Sequence, residues 1–284
     1  MPETSFAQMW TPVFIGLALS MAMYGIALGQ YFFYLRAFTF DPKALKVMVL
    51  LLFIMDTLHS YGMLVYFRRL LILCHHNTTS AICISVLPWE LFMAVILSYL
   101  VTFVVQSFYV HRVWIISAHN RWITVTVLVT ALAQFVFGML CTGNAIRTKS
   151  VAALYTSMVT GGSAAGMSVA CDTVITSSVF YYLHLKRQRV KRASTAIHQL
   201  VNVFINMGLF TCLISMVMFI TYSIQGSRYL VGTPGQLLCK SYINSILAVL
   251  NARKSIRQNA TQTFKLSTIP TSTRACDASL GDSD

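Results

Sequence analysis

The chain has 284 residues, of which 56% are hydrophobic and 10% are charged, and its mean hydropathy is +0.67. A soluble domain carries about 25% charged residues, so water cannot solvate most of this surface, and the composition predicts an integral membrane protein in contact with the lipid bilayer. The formal net charge of +13 is compatible with nucleic-acid binding, but the basic residues fall between apolar runs. We therefore expect no nucleic-acid partner and attribute the charge to membrane topology.

Seven apolar segments approach the ~20 residues that a helix needs to cross ~30 Å of hydrocarbon. They cover residues 12–35, 45–67, 88–110, 122–141, 154–183, 200–224 and 234–250. The last segment is short and contains Lys240 and Asn244. We predict an all-α integral membrane bundle of seven transmembrane helices over residues 1–252. Residues 253–284 are polar and rich in Ser and Thr, which predicts a disordered cytosolic tail.

The basic residues are distributed unequally between the two sides of this bundle. Fifteen lysines and arginines fall in the loops of one side and five in those of the other. The densest group follows the fifth span: Lys186, Arg187, Arg189, Lys191 and Arg192. This bias puts that group in the cytosol, with the amino terminus outside and the carboxyl terminus cytosolic. The basic group is also a candidate contact for anionic lipids or for a cytosolic effector.

One predicted outer loop carries two further topology signals. Asn77 begins the glycosylation sequon Asn77-Thr78-Thr79, which suits a loop outside the cytosol. Cys74 and Cys83 lie in the same loop, and the sequence leaves their pairing open. A second sequon begins at Asn259 in the predicted cytosolic tail, where it should stay unused. We expect the protein to reside in the plasma membrane or in a membrane of the secretory pathway.

Ionisable residues inside the predicted spans need an explanation, because each costs roughly 2.5–3.5 kcal/mol to insert. Asp56 and Asp172 lie near the middle of the second and fifth spans, and His59 is one turn from Asp56. They form either a polar site at the membrane midplane, for a ligand, an ion or a proton, or a set of inter-helix hydrogen bonds that fix the bundle. The sequence leaves both interpretations open.

Glu90 and Lys240 lie near the outer ends of the third and seventh spans. An ion pair between them is one interpretation. The alternatives that we favour are a first-turn acid after Pro88 for Glu90 and a lysine that extends to the outer interface for Lys240. Lys240, Asn244 and Asn251 repeat near helical spacing, so this stripe should face other helices.

The sequence contains no pattern that predicts catalysis. It has no GxSxG, HExxH or phosphate-loop motif. Of the seven histidines only His59 lies deep in a span, so no buried three-histidine zinc site can be assembled. We therefore expect neither an enzyme nor a bound metal or cofactor.

Several fragments together resemble a family of uncharacterised seven-span membrane proteins from mushroom-type, basidiomycete fungi. The resemblance extends over roughly residues 14–257 and rests on these fragments: Leu19 to Gly25 with Gln30-Tyr31, Asp56 to His59, Val105 to Phe108, Arg112 to Trp114 with Ser117, Asn206 to Leu209, Lys240 to Ser245, and Leu250 to Arg253. It implies seven helices, an external amino terminus and a domain of unknown function in the carboxyl-terminal half. It implies no activity.

Three functions fit these observations. The first is a receptor-like protein in which a midplane or outer pocket senses a small molecule and the cytosolic loops report it. The second is a transporter or channel in which Asp56, His59 and Asp172 handle a cation or proton, although no internal repeat of the kind common in transporters is evident. The third is a membrane scaffold without a ligand.

Overall fold

The computed structural model describes residues 3–74, 86–189, 194–224 and 230–267. The helices of this described part are α1 Glu3–Ala37, α2 Lys43–Arg68, α3 Trp89–Ile116, α4 Arg121–Thr148, α5 Val151–Thr156, α6 Ser163–Arg189, α7 Ser194–Ser223 and α8 Gly232–Ser267. All but α5 have between 26 and 36 residues. One π-helical turn, Arg69–Leu73, extends α2, and another, Met158–Gly162, precedes α6. The predicted all-helical class is confirmed.

Five of the described helices are long and apolar enough to cross a membrane, judged by length and composition: Trp10–Ala37, Lys43–Ile72, Trp89–Ile116, Arg121–Thr148 and Val203–Ser223. Large apolar side chains such as Phe14, Leu51 and Leu213 are at least half exposed on them, as expected of residues that face lipid rather than water. The chain is therefore a multi-pass membrane protein, with two fewer spans meeting these criteria than the sequence predicts.

The other two long helices, α6 and α8, are more polar, and each packs against several neighbouring helices. α8 packs against α1, α2, α3 and α7, and α6 packs against α3, α4 and α7. Every residue from Leu238 to Leu250 is buried except one. Polar residues of membrane proteins face the bundle interior, so a central helix can carry more of them than a helix in contact with lipid.

Polar side chains of α8 bond to backbone carbonyls of α1 at a constant sequence offset. The three pairs, each 221 residues apart, are Thr233 Oγ1 to Pro12 O at 2.8 Å, Asn244 Nδ2 to Met23 O at 3.1 Å and Asn251 Nδ2 to Gln30 O at 2.9 Å. Because both members of each pair advance together, the two helices run parallel and in register. Asn244 and Asn251 thus face a neighbouring helix, as the sequence indicated.

Helix α8 continues to Ser267, through residues that the sequence assigned to the disordered tail. The extension is anchored where the tail was predicted to begin. Arg253 donates to Asp41 Oδ2 at 2.6 Å, and its guanidinium lies 4.6 Å from the centroid of the Phe38 ring. Composition alone does not reveal this contact, because its partners come from the α1–α2 connection. Residues 268–284 lie outside the described part.

The predicted fifth span is interrupted near its amino-terminal end. α5 ends at Thr156, and Ser157 adopts an extended conformation. The Ser157 side chain accepts from the backbone N–H of Thr160 at 3.3 Å, and the π-helical turn follows. α6 then ends at Arg189. Residues 190–193, the side chains of Lys186, Arg187 and Arg189, and the sequon residue Asn77 lie outside the described part of the chain.

Candidate functional site

Lys240 and Asp56 form a buried ion pair between α8 and α2. Their side chains are 0% and 1% exposed. The Lys240 ammonium donates to Asp56 Oδ1, to the Asp56 backbone carbonyl at 3.2 Å and to Ser60 Oγ, and it lies 5.0 Å from the centroid of the Tyr24 ring. We call Asp56, Ser60 and Lys240 the ion-pair cluster. The lysine charge offsets much of the cost of burying the carboxylate.

This geometry corrects two interpretations of the sequence. Lys240 does not extend to the outer interface, because the acid on α2 draws its ammonium into the bundle. Glu90 does not pair with Lys240 either. It lies in the first turn of α3, two residues after Pro88 at the N-cap, and its Oε2 is 4.0 Å from Arg69 Nη1. Asn244 Nδ2 donates to the Met23 carbonyl of α1 at 3.1 Å and to the Lys240 carbonyl of its own helix at 2.8 Å. The first of these hydrogen bonds holds α8 to α1.

Asp172 belongs to a second cluster that joins α6, α7 and α8. Its Oδ2 accepts from Tyr242 Oη at 2.8 Å and from Ser215 Oγ at 3.3 Å. Ser168 Oγ lies 2.9 Å from Tyr242 Oη and 3.0 Å from Ser215 Oγ. We call Ser168, Asp172, Ser215 and Tyr242 the hydroxyl cluster. A cavity of about 20 Å³ adjoins it, room for about one water.

Two buried amides extend the hydroxyl cluster to α3 and α4. Gln106 Nε2 donates to Tyr242 Oη at 3.3 Å and to Gln134 Oε1 at 2.6 Å. Five helices therefore share one chain of hydrogen bonds. In a bilayer such side-chain bonds contribute about 0.6 kcal/mol each on average, so their main effect is to fix which helix faces meet.

One interpretation of the sequence places Asp56, His59 and Asp172 in one midplane site, but the structure separates Asp172 from the other two. Lys240 and Tyr242 are two residues apart on α8, about 200° around the helix axis, and each holds one of the aspartates. None of the hydrogen bonds or ion pairs within the described residues joins Asp56 to Asp172. The two aspartates thus lie on different sides of the central helix.

His59 connects the ion-pair cluster to a cavity of about 80 Å³, which we call the apolar cavity. Its apolar walls include Met63, Leu91, Val95, Leu154, Met218 and Leu238, and its polar walls include His59, Ser98, Tyr99, Gln134, Tyr222 and Gln236. The cavity lies where α3 and α8 begin. Among the described residues that line it, none is Asp, Glu, Lys or Arg.

Two polar atoms at the apolar cavity are buried without a partner. His59 Nδ1 and Gln236 Oε1 have no hydrogen-bond partner among the described residues. Gln236 uses only its amide nitrogen, which donates to Val13 O at 3.5 Å. An unsatisfied buried polar atom costs about 1–3 kcal/mol, so a guest that bonds to these atoms would recover that energy.

The described part of the chain contains one group of residues with metal-ligand chemistry. Asp56, His59 and Cys239 are all buried, and one ligand atom from each lies within 4.8 Å of the others. Sequence spacing did not reveal this group because Cys239 comes from α8, far along the chain. The sequence analysis also did not single out Gln106, Gln134 and Gln236. A polar residue inside an apolar span, the signal that identified Asp56, could have found them.

Residues 168–255 match a family described as "Family of unknown function (DUF6534)". The comparisons with curated proteins and with solved structures found no match. The matched segment includes Asp172, Lys240 and Tyr242 and leaves out Asp56 and His59. The domain of unknown function that the resemblance implied for the carboxyl-terminal half is therefore confirmed.

Proposed function

We propose that this protein is a receptor-like membrane protein of seven spanning helices, and that its apolar cavity binds an uncharged small molecule. The apolar cavity carries this proposal, because it combines apolar walls with a few buried polar atoms, the usual composition of small-molecule sites. In this proposal α6 and α8 cross the membrane with the other five long helices, and protein rather than lipid covers their polar residues.

The lining of the cavity restricts the chemistry of the ligand. No Asp, Glu, Lys or Arg among the described lining residues is available to neutralise a charged group, so a charged ligand would be buried without a counter-ion. Gln236 Oε1 lacks a donor. We therefore infer a compact apolar molecule with one hydroxyl or N–H group, such as a small alcohol or phenol.

The cavity lies near the end of the bundle that we propose to be external. Cys74 follows the π-helical turn at the end of α2, near the start of α3, and is disulfide-bonded. Disulfides persist in oxidising compartments and are rare in the cytosol. Cys83, whose pairing with Cys74 the sequence leaves open, lies outside the described residues. A disulfide at the cavity end and basic residues at the opposite end both support entry of the ligand from outside.

The separation of the two aspartates disfavours the transporter alternative. Asp56 is neutralised by Lys240, and Asp172 lies on the other side of α8, so the contacts of the described residues provide no path between them. The scaffold alternative requires no cavity with unsatisfied polar atoms. We also propose that this role is non-catalytic. The polar groups of the described cavity lining can form hydrogen bonds, but they do not assemble a nucleophile with a base.

Filling the cavity tests the proposal. Purified protein in detergent is screened for a rise in melting temperature against a panel of small uncharged alcohols and phenols. Val95 lines the cavity, and Val95→Phe should abolish the response to every hit because the ring occupies the ligand space. For a chain of this size each kcal/mol of binding free energy raises the melting temperature by about 2–4 °C.

Met93→Phe is the matched control, because Met93 is two residues away on α3 and 41% exposed. This variant should respond as the wild type does. A panel without a single stabilising compound, or hits that stabilise Val95→Phe and the wild type equally, would overturn the proposal. Hits limited to charged compounds would contradict the predicted ligand class.

A further inference from the structure

Asp56 and His59 lie one turn apart on α2 and face Cys239 of α8. All three residues are buried, and their ligand atoms lie within 4.8 Å of one another. Bonds of about 2.0–2.3 Å to a tetrahedral zinc ion place ligand atoms about 3.3–3.8 Å apart. The observed separation therefore needs a contraction of about 1.5 Å or less, within reach of side-chain rotation.

Two of the three candidate ligand residues have a side-chain atom that is free to coordinate an ion. Asp56 Oδ2 and His59 Nδ1 lack a hydrogen-bond partner among the described residues, and Cys239 is a free, buried cysteine. Lys240 uses the other oxygen of Asp56, Oδ1. The carboxylate can thus hold the ammonium on one oxygen and an ion on the other.

We propose that Asp56, His59 and Cys239 form a binding site for a zinc-class transition-metal ion. One nitrogen, one sulfur and one oxygen ligand suit Zn²⁺ or Co²⁺ and do not suit Mg²⁺ or Ca²⁺, which prefer all-oxygen sites. Binding releases one proton from the Cys239 thiol, because the thiolate is the metal ligand. The new thiolate also compensates part of the positive charge that the ion brings close to Lys240.

The geometry leaves the fourth coordination position to a small molecule. His59 and Leu238, the neighbour of Cys239, both line the apolar cavity, so a water or an exogenous ligand can reach the ion from there. Three protein ligands with one open position are typical of metal sites that bind exogenous molecules. The metal site does not depend on the alcohol or phenol ligand proposed above, and its test uses no such compound.

Cobalt is the probe for the experiment, because its absorption reports the ligands. The full chain, purified in detergent with a tag that lacks histidine, is titrated with Co²⁺. We expect saturation near one ion per chain, visible tetrahedral bands and a near-ultraviolet thiolate-to-cobalt band. Cys239→Ser should lose the thiolate band, and His59→Ala should weaken Co²⁺ binding by roughly tenfold or more, as even the loss of an outer-shell partner does.

Two matched variants control for general effects of substitution. Cys171→Ser replaces another buried free cysteine, and His184→Ala replaces a histidine outside the cluster. Both should titrate as the wild type does. Melting curves in metal-free buffer identify variants that fail to fold. The wild-type spectrum is decisive by itself: a titration without a thiolate band overturns the proposal, as does a band that persists in folded Cys239→Ser.

Discussion

The buried pair of Lys240 and Asp56 is the residue-level feature with the largest expected effect on stability. Removing one partner leaves the other charge buried and unpaired, which costs about 3–5 kcal/mol in known buried pairs. We expect Lys240→Met alone and Asp56→Leu alone to lower the melting temperature strongly in metal-free buffer. The double variant should recover much of the loss, because no unpaired charge then remains. Thermal unfolding of the four proteins gives the coupling free energy.

Lys43→Met is the control for this cycle, since Lys43 is an exposed lysine at the start of α2. Substitutions of exposed residues usually change stability by about 0.5 kcal/mol or less, so this change should be nearly neutral. Single variants that melt with the wild type would contradict the buried pair. Additive losses in the double variant would show that the two side chains do not interact.

At the scale of residues, the sequence identified charges but could not identify their partners. Asp56, Asp172 and Lys240 are conspicuous because a bilayer makes each charge costly. Similar depth made Glu90 one candidate partner of Lys240, whereas the structure pairs Lys240 with Asp56. Depth along a span can be counted from the sequence. The rotation of each helix about its axis cannot, and rotation decides which side chains meet.

At the scale of elements, the close contact between α1 and α8 gives the clearest prediction about stability. A Cβ added to Gly16 would lie 3.0 Å from the Thr233 Cα, a backbone atom that cannot move aside without displacing α8. Gly16→Leu should therefore push the two helices apart and lower the free energy of unfolding by about 1–3 kcal/mol, the usual cost of overpacking. Melting temperature in detergent measures the effect.

Gly25→Leu is the matched control on the same helix. A Cβ at Gly25 would meet no heavy atom within 4 Å, and the residue is exposed. The leucine would face lipid and replace a poor helix former, so we expect no loss of stability. Equal losses at both positions would mean that α1 does not pack on α8 through Gly16.

Helix positions could be predicted better than helix ends and interruptions. The length of the apolar segments predicted the long helices. These include α6 and α8, which are less apolar than the five helices that meet the criteria for a membrane span. Segment length did not predict the break at Ser157, because the serine that caps the π-helical turn resembles any small residue of a span. It also missed the extension of α8 beyond residue 253, which Asp41 and Phe38 anchor from a distant connection.

At the scale of the whole molecule, charge and cysteine chemistry lead to the same proposed sidedness. The end that holds Arg253 and Lys254 also carries the predicted cytosolic loops, and the opposite end carries disulfide-bonded Cys74. Basic residues concentrate on the cytosolic side of membrane proteins, whereas disulfides form on the other side. Two independent physical effects therefore predict that Asn77 is external and that Asn259, near the end of α8, is cytosolic.

The two sequons make this orientation testable within one chain, because glycan transfer occurs only on the external side. Expressed in a eukaryotic cell, the wild type should carry one glycan, seen as a mass that falls after enzymatic deglycosylation. Asn77→Gln should remove the shift and Asn259→Gln should leave it unchanged. A tag after Asp284 should resist protease added to intact cells and be cleaved once the cells are permeabilised. A glycan lost only in Asn259→Gln would reverse the orientation, and the apolar cavity would then open towards the cytosol and sample an internal ligand.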